Sequence, residues 1–301
     1  MTGTIGSKLK NHLHLHFIVF IWGFTAVLGK LISLDALPLV WYRMFLACLL
    51  IFAFLAIKKY SLRVSGKMFL TLIAAGVIIA LHWVTFFASI KASNVSVALA
   101  TMSTGAFFTA IIEPFWYRRK MVGYEIVFGL IAMFGLFLIF KVDSGYAYGI
   151  VLALISAFLS AIFSLLNGKL IQKERPSVIS IYELLSGVAF LSLYLAYKGN
   201  FNLAFFQLSL NDFIFLFILA SICTAYAFIA SMHILKHVSP YTLMLTINLE
   251  PVYGIILAFI ILGDDEKMNP LFYAGGAVIL ITVVANGILK NRRRFKNSTS
   301  G

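Results

Sequence analysis

Ten stretches of this chain are long and apolar enough to cross a lipid bilayer, and that pattern leaves a membrane-embedded helical fold as the reading. A spanning helix needs about 20 mostly apolar residues, at 1.5 Å per residue, to traverse a hydrocarbon core of about 30 Å. Residues 13–33, 36–57, 68–90, 95–117, 121–140, 146–168, 177–197, 211–233, 239–262 and 270–289 meet that requirement. The expected fold class is therefore an all-α integral membrane protein with ten transmembrane helices. Composition agrees, with 61% hydrophobic and only 12% charged residues, about half the charge of a soluble domain. An ordinary soluble enzyme is excluded. Six Pro, two Cys and 15% aromatics also exclude collagen-like, disulfide-stapled and disordered chains. The longest gap, 198–210, holds Gly199, Asn200 and Asn202 and is too short for a folded soluble module. The first stretch is too long for a signal-peptide core and lacks a small-residue cleavage site, so it reads as a retained helix.

The cations fix an orientation, because cytoplasmic loops collect Lys and Arg. Eighteen of the 24 fall at the N-terminus, in alternate gaps and in the C-terminal tail, whereas the other side has Lys91, Lys141, Lys198, Lys267 and, at a helix end, Lys30. Six of the eleven acids, Asp35, Asp143, Asp212, Asp264, Asp265 and Glu266, lie on that sparse side. Both termini are expected in the cytoplasm, with an even number of spans. The net charge of +13 then serves topology, and a nucleic-acid partner is unnecessary. The basic tail 290–301 has a second possible role on anionic lipid headgroups.

The string Gly-Lys-Leu-Ile occurs at Gly29–Ile32 and again at Gly168–Ile171, 139 residues later. Tyr42-Arg43 matches Tyr182-Glu183 at offset 140, Val95-Ser96 matches Val238-Ser239 at 143, and 122–140 overlays 269–287 at 147, pairing Gly129 with Gly276. Ordered matches near half the chain length describe duplication, with a short N-terminus (1–12), a first repeat (13–140), a second repeat (146–289) and the tail. Five spans per half force the second copy to enter the bilayer from the opposite face, giving two inverted five-helix repeats.

With these residues in view, the chain resembles the EamA-type family of the drug/metabolite transporter superfamily. The resemblance rests on Trp22-Gly23, on Pro38 through Arg43, on LEPVYGIILAFIILGD at 249–264 and on GGAVIL at 275–280. Two departures stand out. Gly263-Asp264 replaces the family's usual Gly-Glu, and Glu113-Pro114 lies 137 residues from Glu250-Pro251 where the following helices align at 147. The resemblance implies a secondary transporter in a bacterial-type cytoplasmic (inner) membrane, an exporter of a small organic metabolite such as an amino acid. It implies no cofactor, partners limited to the solute and the bilayer, and a monomer or homodimer. A membrane-embedded enzyme of lipid or isoprenoid metabolism is the rival reading, for which the chain offers only scattered carboxylates.

Charges inside a bilayer cost at least ~2.5–3.5 kcal/mol each and need a reason. Arg43 and Glu183 each lie seven residues into a span, roughly 10 Å from opposite surfaces, at repeat-related positions. Either they are structurally paired, with each other or separately, or Arg43 meets an anionic group of the solute while Glu183 serves gating or proton coupling. Glu250 is the twelfth residue of its 24-residue stretch, near the midplane, and Pro251 after it disturbs the helical ladder. Thr242, Thr246 and Glu250 share one helix face. Ser156, Ser160, Ser164 and Asn167 form a second polar stripe, fit either for helix packing or for lining a wet path. His82 reads as a bonded core histidine or a proton relay. Trp22 and Tyr182 complete the candidate set for substrate binding or coupling, while Trp41 reads as an interface anchor. Glu113, a turn from Arg118, reads as an interfacial salt bridge. No catalytic or metal site is expected: His12, His14 and His16 do not share one face, and Asp264-Asp265-Glu266 reads as a solvated loop.

Overall fold

The structure is a computed structural model and describes all residues except 1, 119–122, 143, 235–245, 248 and 299–301. Among the described residues it is helical throughout, with no strand. The helices are α1 (Thr2–Leu31), α2 (Ala36–Lys58), α3 (Gly66–Ala92), α4 (Val95–Met102), α5 (Gly105–Trp116), α6 (Gly123–Val142), α7 (Ala147–Leu170), α8 (Pro176–Tyr197), α9 (Leu210–Ala220), α10 (Ala227–Ile234), α11 (Glu250–Leu262) and α12 (Pro270–Ser298). Among the described residues, seven segments are long and apolar enough to cross a membrane, counting α4 with α5 and α9 through Ser231 each as one. The apolar helices α6, α11 and α12 accompany them. The expected stretch 239–262 is represented by Thr246, Ile247 and α11, and residues 239–245, like the repeat mate Val238-Ser239, lie outside the described residues.

Helix starts follow local chemistry. Ser65, Asn94 and Ser209 accept hydrogen bonds from Met68, Val97 and Asp212 amides, occupying donors that a helix start leaves open, and Pro176 opens α8. α2 closes on Lys59 in the left-handed region at φ 51°, its amide returning to Ala56 and Leu55 carbonyls, a common helix ending.

Packing pairs exchange when the two halves are swapped. α1 lies along α11 as α7 lies along α4 and α5; α3 packs on α8 as α2 packs on α9; α6 packs on α12. Two crossings are backbone to backbone. A Cβ on Gly23 would sit 2.9 Å from the Gly254 nitrogen. One on Gly76 would sit 2.3 Å from the Glu183 carbonyl oxygen, beside Gly187, whose own Cβ would lie 3.0 Å from the Gly76 oxygen. Small residues permit this close approach, which is how membrane helices gain contact without a hydrophobic drive between them.

Two sequence expectations are corrected. Trp41 is buried, not an interface anchor: its Nε1 donates to Ser192 at 2.8 Å and its ring stacks on Phe45 and meets Phe201 and Phe205. Glu266 is not a solvated loop residue. It is 1% exposed, and its carboxylate accepts the Val95 and Ser96 amides at 3.0 and 2.8 Å, capping α4 from the far half of the chain. Asp212 makes a similar tie, accepting from the Ser33 amide and hydroxyl at 2.7 and 2.6 Å. A carboxylate suits Glu266's place because open amides at a helix start favour negative charge, and Asp212 benefits in the same way from its own position in the first turn of α9.

Candidate functional site

Helices from both halves enclose a central cavity of about 190 Å³, lined chiefly by α1, α2, α3, α4, α5, α7, α10 and α11. That is room for about six waters at about 30 Å³ each. Its walls are mostly aromatic and aliphatic, with a few polar groups between them, the usual make-up of a small-molecule site.

Arg43 reaches the cavity from α2 while only 2% exposed. Its Nε donates to the Thr224 hydroxyl at 2.7 Å, and its guanidinium lies 4.0 Å from the Trp83 ring centroid and 5.6 Å from that of Phe87. A ring face attracts a desolvated cation by about 2 kcal/mol. Thr224 belongs to a π-helical turn, Ser221–Tyr226, between α9 and α10. Its hydroxyl donates to the Leu219 carbonyl five residues back, at 2.7 Å, so an oxygen lone pair is left for Arg43. Neither Thr224 nor the π turn is visible in the sequence pattern; a threonine in an apolar run is the sole signal.

Glu250 stands across the same cavity as the first residue of α11. Pro251 behind it has no amide donor, and the Leu249 amide just before it turns back to Thr246 at 3.0 Å. The opposite half has a matching interruption. The expected stretch 95–117 breaks between α4 and α5, where the Ser103 and Thr104 hydroxyls bond the Ala100 and Thr101 carbonyls. Ser103 and Gly105 line the cavity from one break, and Ile247, Glu250 and Pro251 line it from the other. Ser-Thr-Gly at 103–105 is the signal that marks the first break. Irregular backbone at membrane depth is tolerated where protein or a wet cavity satisfies it.

His82 lines the cavity from α3 and is anchored behind it. Its Nδ1 bonds the Ser156 carbonyl at 2.9 Å, and the Ser156 hydroxyl donates to the His82 carbonyl at 2.9 Å. The same Nδ1 lies 2.8 Å from the Ser156 hydroxyl, so the ring is held from one side by both polar groups of Ser156. Trp22, Ser160 and Ser164 also face the cavity, whereas Thr246 is buried beside the lining residue Ile247.

The other candidates lie elsewhere. Glu183 is fully buried between α7 and α8, where one carboxylate oxygen accepts the Asn167 side-chain amide at 2.9 Å. The Glu183 and Arg43 side chains are not paired with each other among the described residues. The Tyr182 hydroxyl donates to the Leu62 carbonyl at 2.6 Å, outside the cavity. His14 and His16 diverge, to the Tyr226 and Tyr253 hydroxyls at 2.7 and 3.2 Å.

Comparison with known proteins supplies the family. The sequence profile of the EamA-like transporter family matches residues 12–141 and, a second time, residues 147–287. The chain belongs to the EamA-like transporter family. Two Archaeoglobus fulgidus proteins described as uncharacterized transporters resemble this EamA protein. One is 25% identical over 286 residues, covering 91% of this chain and 96% of that one. The other is 22% identical over 262 residues, covering 87% and 90%. A solved protein crystal structure shares the fold with a TM-score of 0.68 at 12% identity, over 95% of this chain and 99% of that one. The EamA protein is thus a multi-pass membrane transporter and not an enzyme.

Proposed function

We propose that this EamA-family protein is a secondary transporter that exports a small organic metabolite, such as an amino acid, by alternating access between two inverted five-helix halves, with both termini cytoplasmic. The observation that carries the reading is the central cavity itself, which presents Arg43 from one half and Glu250 from the other. A solute bearing both an anionic and a cationic group finds a donor and an acceptor there, with Trp22, Trp83 and Phe86 as apolar walls. Charge placed in a water-poor cavity discriminates strongly, because an unmatched solute leaves a buried ion unpaired. The repeat reading is supported by the exchange of packing pairs between halves and by two successive matches to one family profile. His82, Ser160 and Ser164 add polar contacts to the same wall. Glu183, away from the cavity, belongs to coupling or gating in this scheme rather than to solute contact, and Asn167 positions it.

The test is reconstitution. A metabolite panel is first screened by thermal shift, since a ligand at 100 times its Kd stabilises the fold by about 2.7 kcal/mol. Uptake into proteoliposomes is then measured for the hit. Glu250→Gln and Arg43→Ala each abolish solute movement while the protein stays folded; full transport by both variants refutes the site.

A further inference from the structure

Two tyrosines at repeat-related positions make the same contact at opposite ends of the bundle. Tyr42 lies near the start of α2, and its hydroxyl donates to the carbonyl of Phe205 at 2.8 Å, in the connection between α8 and α9. Tyr182 lies near the start of α8, and its hydroxyl donates to the carbonyl of Leu62 at 2.6 Å, in the connection between α2 and α3. Each tyrosine therefore ties down the loop that follows its counterpart helix in the other half. Chain connectivity separates the two contacts. The α8 to α9 loop meets α2 at its beginning, the α2 to α3 loop meets α8 at its beginning, and one traverse of α2 separates the two ends.

We infer that Tyr42 and Tyr182 are the paired gate latches of the transport cycle, one at each membrane face. The inference rests on the alternating-access reading and adds the residues that hold each side shut. Both latches have aromatic seats: Tyr42 stacks on Phe205 with centroids 5.2 Å apart, and Tyr182 meets the Phe69 ring edge-on at 5.8 Å. Each latch is one neutral hydrogen bond to a loop carbonyl, so it opens without stranding a buried charge, unlike the carboxylate ties of Asp212 and Glu266. The net worth of such a bond corresponds to about a two- to tenfold change in an equilibrium. That is a suitable size for a state that must be left on every cycle. Both latch bonds are made here.

The experiment reads which face the cavity opens to. Cys48 and Cys223, both buried, are replaced by Ala, and Met102→Cys reports from the cavity wall. A membrane-impermeant methanethiosulfonate is applied from each side of sealed, oriented vesicles. Tyr42→Phe raises labelling from the face at which α2 begins, relative to the other face, by about two- to tenfold. Tyr182→Phe shifts the ratio by a similar factor in the opposite direction, and the double variant returns the ratio to near that of the parent. Phe205→Leu, which removes the stack and keeps the carbonyl, shifts it in the same direction as Tyr42→Phe and covers the case in which that variant does not fold. Single variants that shift in the same direction, or that lower the melting temperature without moving the ratio, overturn the latches. A parent labelled from one face only, whatever solute is present, overturns alternating access itself.

Discussion

Gly76→Ala tests whether the α3 to α8 crossing sets the geometry of the bundle. The added Cβ would lie 2.3 Å from the Glu183 carbonyl oxygen, 2.6 Å from the Ser186 Cβ and 3.1 Å from the Glu183 carbonyl carbon. Ordinary contact begins at 3.4 Å, so the two helices must separate by about 1 Å, since two of the three clashing atoms are backbone and no rotamer change moves them. Overpacking of this kind costs about 1–3 kcal/mol. Alanine also gains about 1 kcal/mol over glycine inside a helix, so the control must carry the same gain. Gly276→Ala does, because Gly276 lies within α12 and has nothing within 4 Å of its would-be Cβ. Thermal unfolding in one detergent, followed by tryptophan fluorescence, should place Gly76→Ala about 2–12 °C below Gly276→Ala, at 2–4 °C per kcal/mol. Melting temperatures within 1 °C of each other, to the precision of about that size, would refute the argument that this crossing is closed to a methyl group.

Two further outcomes follow from named contacts. Arg43→Lys keeps the charge but loses the planar group over Trp83 and the Nε bond to Thr224; solute affinity by thermal shift should fall about tenfold or more, and parental affinity would remove Arg43 from the site. Glu266→Gln leaves a single acceptor oxygen for the Val95 and Ser96 amides, at a cost of about 1–3 kcal/mol, and an unchanged melting temperature would show that the cap contributes nothing.

Sequence periodicity resolves depth along a helix far better than it resolves which way a side chain faces. Arg43, Glu183 and Glu250 all stand out as charges in apolar stretches, yet Arg43 and Glu250 face the cavity and Glu183 faces Asn167. The stripe from Ser156 to Asn167 behaves likewise. Its two middle members line the cavity, while Ser156 is engaged by His82 and Asn167 by Glu183. Rotation by a fraction of a helical turn decides between those fates, and neighbours set the rotation. The π turn that presents Thr224 and the break at Ser103 depend on backbone bonds that a hydropathy window averages away. Glu266 shows the opposite error: read as a solvated loop charge, it is a buried cap on α4, because a carboxylate that reaches a distant helix start looks the same in sequence as one in water.

The Gly23 to Gly254 contact bears on which parts of the molecule travel together. With main chain against main chain and no side chains between to slide over, α1 is keyed to α11, a helix from the other end of the gene. α7 packs in turn on α4 and α5. Each of these packed pairs joins a helix from before the chain's midpoint to one from after it, so cutting the chain there would divide both contacts and leave each fragment with an uncovered helix face.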